Sequence, residues 1–455
     1  MTTAIFTQGS TLRHVVIMTG ASTVGLVAMF TVDLVDMYFL SLLGEQELAA
    51  AVGYGGTLLF FLTAVSIGLQ IGMGALVSRA EGAHRRDLAG RYCSNILIFS
   101  GAAAAVISAA AFLHLRELLE LLGASGKTLE YALAYSRIII PNTAVLALGM
   151  CAANAARALG DARRSMYATL IGSAVNAILD PILIFGMGWG IEGAAAASVV
   201  SRFVMMGIAF YAIFHVHRLP QPTSLTWLRE DISPIVKVAG PAVLTNLATP
   251  IGSSVVLRTM SQFGDSAVAG AAIMGRIWPV AFAAVFALSG AIGPIIGQNA
   301  GAHRYDRVRR ALLDALLCNV VYVLMIWLLL WSLQDLIVAA FSASDEAERL
   351  IRFAVTWLVG GFIFSGMLFV ANASFNNLHK AHLATLFNFG RALLGTIPCV
   401  YLGAQWFGAP GVMAGEVAGA VFFGSLAFVA VLWQVRDLGR KQVDPAAAAA
   451  TLNKP

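Results

Sequence analysis

Residues 48–87 read LAAAVGYGGTLLFFLTAVSIGLQIGMGALVSRAEGAHRRD, and from Leu48 to Ser78 no side chain is charged. A bilayer core about 30 Å thick takes roughly 20 apolar residues of helix, so this stretch crosses a membrane with length to spare. It lacks the period-2 alternation of a barrel strand, and a helix satisfies its backbone polar groups internally. The stretch therefore reads as a transmembrane helix closed by a polar loop, Gly82 to Asp87.

The rest of the chain is built from the same material. Of 455 residues, 59% are hydrophobic and 12% charged, with a mean hydropathy of +0.80. A soluble domain has about 45–50% apolar and about 25% charged residues. No Walker-type phosphate loop, paired CxxC, HExxH or nucleotide-binding glycine fingerprint occurs, so direct ATP driving is not expected. Cys93, Cys151, Cys318 and Cys399 lie in apolar runs without paired spacing and read as small core residues. Residues 1–13 are short and polar, lack an Ala-x-Ala site, and read as a tail ahead of the first span rather than a cleavable signal.

Division at charged and Gly/Pro-rich breaks gives twelve expected helices. Those of the first half cover 14–43, 48–78, 90–115, 130–157, 164–187 and 191–216. Those of the second cover 233–261, 266–299, 308–332, 349–377, 380–404 and 408–434. The expected fold is an all-α membrane protein of 12 transmembrane helices in two six-helix lobes. Residues 1–217 form the N-terminal lobe, 218–237 a linker, 238–436 the C-terminal lobe and 437–455 a tail. With the N-terminus inside, most of the 29 basic residues fall on inner segments, including Arg79, Arg85, Arg86, Arg91, Arg304, Arg307, Arg309 and Arg310. The outer loops hold Arg116, Lys127, Arg349 and Arg352. The positive-inside rule then places both termini in the cytoplasm of a bacterial inner membrane.

The quoted loop recurs. Gly82-Ala83-His84-Arg85-Arg86-Asp87 returns as Gly301-Ala302-His303-Arg304-Tyr305-Asp306, 219 residues later. Gly44 and Gly264 precede Leu48-Ala49-Ala50 and Val268-Ala269-Gly270, while Asn154, Gly190 and Gly193 recur as Asn372, Gly408 and Gly411. Two copies of six spans enter the membrane in the same orientation, so a pseudo-two-fold axis along the membrane normal is expected, as in one class of secondary transporter.

Ionisable residues inside spans are costly and are functional candidates by default. Asp33 and Asp36 share a face of the first span; Asn176 and Asp180 stand one turn apart on the fifth. Asp36 and Asp180 are each roughly 7 residues from the outer ends of their spans, about 10 Å, so they can meet at one level. Two carboxylates in a low dielectric do not both ionise readily, and Asn176 supplies a neutral donor and acceptor beside them. Asp36, Asn176 and Asp180 are the expected proton or cation coupling site, with Asp33 and Arg202 as accessories. The plainer alternative is that Arg202 merely pairs with the acids. In the second half Arg258, Arg276 and Glu416 are intramembrane charges, and Arg276 with Glu416 reads as an internal ion pair. Gly72, Gly74, Gly290, Gly293, Pro241 and Pro250 read as packing or bending positions.

At these residues the chain resembles the multidrug and toxic compound extrusion (MATE) family over essentially its whole length. The matching stretches are Asp36 with Gly44 and Leu48-Ala49-Ala50; Gly72-Met73-Gly74-Ala75 leading to Gly82; Arg157-Ala158-Leu159-Gly160-Asp161; and Asn176-Ala177-Ile178-Leu179-Asp180-Pro181. Asn176 and Asp180 look like the DinF-type prokaryotic branch, and the resemblance implies cation coupling at Asp36, Asn176 and Asp180 with two lobes alternating in access. The NorM-type acidic residues of the seventh and tenth spans have no counterpart, since the seventh span carries Arg258. The usual early proline of the first span is replaced by Met18-Thr19-Gly20-Ala21, so a bend there would fall to Gly20 or Gly25.

The expectation is a non-enzymatic efflux antiporter that exports an amphipathic, cationic drug or metabolite for H+ or Na+. Export of a lipid-linked or anionic metabolite is the alternative, and an integral-membrane enzyme the remote one. No cofactor, resident metal or nucleic acid is implied beyond the coupling ion, with transient Na+ at Asp36, Asn176 and Asp180; the partners are a small-molecule substrate and the lipid bilayer, and a monomer is expected.

Overall fold

In the computed structural model, which describes residues 4–43, 46–341, 343 and 345–443, the long elements are helices, and no strand occurs among the described residues. Among the described residues ten helices are long and apolar enough to cross a bilayer, starting with Thr11–Leu40, Ala50–Gly82, Arg86–Leu113, Gly126–Ala158, Ala162–Gly186, Gly190–Val216 and Leu225–Phe263. The eighth span follows as Ser266–Ala281 and Ala283–Gly301, and Tyr305–Ser332 is the ninth. Glu346–Leu358 and Gly361–Asn377, bent by 61°, make the tenth.

The last apolar stretch, Ala381–Gln442, holds 62 residues, about 93 Å of helix at 1.5 Å per residue, far more than one bilayer. It is two spans. Gly408, with φ 65° and ψ −146°, turns the chain between them, a backbone state that glycine adopts without steric penalty. Beyond the turn, Gly411, Gly415 and Gly419 face Gly403, Cys399 and the Gly395–Thr396 backbone in reverse order; a Cβ at any of the three would collide with that backbone. The glycines recur every fourth residue, so they share one helix face and let the two helices of the hairpin approach closely. With this hairpin the number of spans is twelve.

The chain divides into two compact units. One contains Ala21–Val77 and Arg85–Asn246; the other contains Met1–Gly20, Ser78–His84 and Leu247–Pro455. The first has a core around Leu40, Leu58, Leu119, Ile139 and Ile184. The second has a core around Met260, Phe282, Val355, Val359 and Val412.

The repeated loops have matching backbones. His84 and His303, at the same place in each copy, both have φ of 57°. Within the second unit the contacts are reciprocal: a Cβ on Gly82 would run into the carbonyl of Gln298, and a Cβ on Gly301 into that of Arg79. Residues 79 and 298, like 82 and 301, are 219 apart, so each helix end presents the same pair of positions to the other.

The tail ahead of the first span is an ordered part of this unit. Ile5–Thr7 form a 3-10 turn, Ala4 and Phe6 are buried, and Gln298 Oε1 accepts the Phe6 N–H at 3.0 Å. Asn299 and Arg307 donate to the Phe6 carbonyl, and Arg307 also reaches the carbonyls of Gln8 and Gly9 at 3.0 Å. The expectation of a plain tail is corrected here: polar side chains of the eighth and ninth spans hold its backbone.

In the other unit the first turns of the seventh helix dock in a similar manner. Asp231, 1% exposed, takes hydrogen bonds from Arg91 and Asn95, each at 2.7 Å. The Arg157 to Asp161 motif makes the turn between the fourth and fifth spans: Gly160 has φ 91° and the Asp161 side chain caps the next helix at the Arg164 N–H. Burial pushes the Asp161 carboxyl up, but hydrogen bonds from His217 and Arg164 outweigh it and hold the group at about 2.

Candidate cation-coupling site

The fifth span presents Asn176 and Asp180 one turn apart, and both are buried, Asp180 completely. Pro181 follows directly. It has no N–H to donate to the preceding turn, and Ile182–Gly186 widen into a π-helical turn closed by the Met187 N–H on the Ile182 carbonyl. The sixth span supports this irregular stretch closely, since a Cβ on Gly193 would stand 2.8 Å from the Leu183 carbonyl.

Across from these residues the first span brings in Asp36, which is half-buried. The Asn176 amide nitrogen lies 3.2 Å from each Asp36 carboxylate oxygen and 2.9 Å from Oδ2 of Asp180. One NH2 group with two hydrogens thus serves three carboxylate oxygens. Oδ1 of Asp180 is buried and has no hydrogen-bond partner.

The magnitudes matter. An ionised aspartate at the centre of a membrane helix costs about 3 kcal/mol on insertion scales, and a hydrogen bond to a charged group contributes about 1.5–3 kcal/mol. One amide can therefore compensate about one carboxylate. The second charge has to be removed by a proton or balanced by a cation.

Asp33 lies on an exposed part of the first span, within reach of the Asp36 charge. Arg202 does not pair with the acids: its guanidinium donates to the Ile139 carbonyl at 3.2 Å, and no ion pair joins it to a carboxylate among the described residues. Tyr135 of the fourth span is a neighbour that sequence reasoning passed over; its phenol feels the charges of Arg202, Asp36, Asp33 and Asp180. Gly55 makes room for that ring, since a Cβ there would sit 2.8 Å from Cδ1 of Tyr135. A tyrosine within an apolar run carries no periodic signal. The adjacent glycines Gly53, Gly55 and Gly56 were the available hint.

In the second half the expected Arg276 and Glu416 pair is absent among the described residues. Arg276 and Arg258 are exposed, and the basic group acting on Glu416 is Arg391 of the eleventh span. Arg391 lies within the membrane stretch, inside the span expected at 380–404. Among the described residues no group of three or more His, Cys, Asp or Glu is placed to hold a metal ion.

Twelve spans and an acid pair bridged by an asparagine define a polytopic transporter. The MatE family model matches the chain twice, over residues 21–182 and 241–402, and the chain belongs to that family. The two matches start 220 residues apart and have equal length, which fits the repeated loops. A protein of Shewanella oneidensis named FAD transporter is 26% identical over 396 residues, covering 86% of this chain and 87% of its own. The multidrug export protein MepA of Staphylococcus saprophyticus is 26% identical over 349 residues, covering 74% and 76%. A MOP superfamily transporter from Pyrococcus furiosus, whose structure is described as having a reversed polarity of the binding pocket, aligns with a TM-score of 0.89 at 21% identity, covering 96% and 99%. The chain is a multi-pass membrane transporter, not an enzyme.

Proposed function

We propose that the chain is a secondary antiporter that exports an amphipathic compound in exchange for H+ or Na+ taken up at Asp36, Asn176 and Asp180. The observation that carries this reading is the single amide facing three carboxylate oxygens. Asp36 rides on the first span and its partners on the fifth, so the charge state of the cluster sets how firmly those two helices are tied. A proton or Na+ that binds one conformation better shifts the equilibrium by that difference alone. The unpartnered Asp180 Oδ1 is the atom either ion would engage first.

The test is efflux of an organic-cation panel from reconstituted liposomes, with H+ and Na+ gradients imposed one at a time. Export driven by one gradient is the expected result. Export that ignores both gradients rejects antiport.

A second reading has its own support. Arg258 and Arg276 are exposed and have no ion-pair partner among the described residues, and one relative is named for FAD, a dianionic dinucleotide. Under this reading the substrate is an anionic metabolite recognised by guanidinium groups. Adding FAD to the panel separates the two: export of FAD that Arg258→Ala and Arg276→Ala abolish favours the anionic substrate, and export of cations alone dismisses it.

A further inference from the structure

The last span ends in a stripe with a sharp change of character. Phe422, Leu426, Val429 and Trp433 follow one another at steps of four, three and four, so they share one helix face, and they are 63%, 46%, 62% and 70% exposed. The next positions on that face, at steps of three and four, are Arg436 and Arg440, both exposed. A row of solvent-averse side chains thus runs directly into two guanidinium groups.

The basic end of this stripe is not flat. The loop between the eighth and ninth spans stands against it, with Gly439 packed 3.7 Å from the Tyr305 side chain when a Cβ is placed there. Between them lies a cavity of about 1620 Å³, lined by Arg304, Arg309, Arg436, Arg440, Lys441 and Trp433. Asp306 and Asp437 are its acidic lining residues. Lys441 is neutralised by Asp437 at 2.8 Å, and Arg304 is committed to the Thr7 carbonyl. Arg309, Arg436 and Arg440 have no ion-pair partner among the described residues.

We propose that this cavity is a binding site for the phosphate-bearing headgroup of an anionic phospholipid, with its acyl chains along Val429, Leu426 and Phe422. Guanidinium forks match phosphate oxygens bidentately, and basic pockets at the ends of membrane spans recognise acidic lipid headgroups. The volume exceeds the 300–1,000 Å³ usual for a small-molecule site, which suits a headgroup with its glycerol and chain roots. Continuity with the exposed apolar face decides for a lipid over free phosphate, because a soluble ion has no use for that face. Trp433 sits at the junction, where an aromatic ring belongs at a membrane interface. The site is separate from the acid cluster, and its existence does not depend on which ion or substrate the transporter uses.

The test is native mass spectrometry of the full chain titrated with dioleoyl phosphatidylglycerol, dioleoyl phosphatidylcholine, or glycerol 1-phosphate. The expected result is one phosphatidylglycerol bound at least tenfold more tightly than phosphatidylcholine, and not displaced by equimolar glycerol 1-phosphate. At about a fivefold loss per basic residue, the Arg309→Ala, Arg436→Ala, Arg440→Ala triple variant should lose about a hundredfold in affinity, while the triple Lys variant keeps most of it. Should the alanine variant fail to fold, Arg436→Gln alone is expected to weaken binding roughly fivefold. Equal binding of the two lipids, unchanged affinity in the alanine or glutamine variant, or displacement by glycerol 1-phosphate overturns the proposal.

Discussion

Asn176 and Asp180 stand one helical turn apart with the amide nitrogen 2.9 Å from the carboxylate, and that same nitrogen reaches Asp36 on another helix. The asparagine is therefore the tie between the first and fifth spans, and its removal leaves two acids with no neutral donor between them. In a double-mutant cycle on thermal stability, Asn176→Ala should cost about 2 kcal/mol in the native background and clearly less beside Asp36→Asn, a coupling of about 1 kcal/mol. Additive losses would mean that the hydrogen bonds to Asp36 contribute nothing.

His379 lies between the tenth and eleventh spans, with its ring 2.6 Å from the Arg79 guanidinium. Burial, and then the Arg79 charge, push it down to about 4 from 6.5. The unfolded chain takes up the proton first, so folding stability should fall as pH drops from 6.5 to 4 and level off below that. His379 has φ 61°, a backbone state that asparagine tolerates. His379→Asn should remove this part of the acid sensitivity in pH-dependent melting, and an identical pH profile for the variant contradicts the assignment.

Arg307 donates to Asn299 and to three carbonyls of the N-terminal segment. It is partly exposed, so solvent discounts the sum of these bonds. Arg307→Ala should lower stability by about 2 kcal/mol and release residues 4–10 to fast hydrogen exchange. Unchanged protection of that segment would show that Phe6 burial holds it without help.

Asp231 is the one carboxylate that Arg91 and Asn95 share in the first turns of the seventh helix. Asp231→Ala removes the shorter contact of each, leaving Arg91 with Glu230 at 3.4 Å and Asn95 with the Trp227 carbonyl at 3.3 Å, and should cost about 2 kcal/mol, visible as a lower melting temperature in detergent. Asp231→Asn, which retains one acceptor oxygen, should cost less than half of that. Equal losses would assign the whole effect to the carboxylate charge and leave the retained acceptor oxygen with no part in it.

The membrane class, the repeat and the acid cluster were legible because each rests on spacing along one helix or on runs of composition. Asn176 and Asp180 fall on one face by arithmetic, and their depth from the span end matches that of Asp36. The partner of Glu416 was not legible, since depth alone cannot distinguish Arg276 from Arg391 when helix rotation is unknown; only packing showed that Arg391 is the basic group beside it. The N-terminal segment was misread as a plain tail because its anchor residues Gln298, Asn299 and Arg307 are nearly 300 positions away. The turn at Gly408 coincides with the expected start of the twelfth span, yet the glycine ladder that closes the hairpin becomes visible only when the two helices are laid antiparallel.

Ion flux through the purified transporter tests the coupling role of the acid pair most directly. In liposomes with an imposed gradient of the coupling ion, the native chain should release substrate and take up that ion together, with Asp36→Asn and Asp180→Asn each slowing both fluxes at least a hundredfold while melting normally. Native rates of substrate release and ion uptake in either variant would contradict the account.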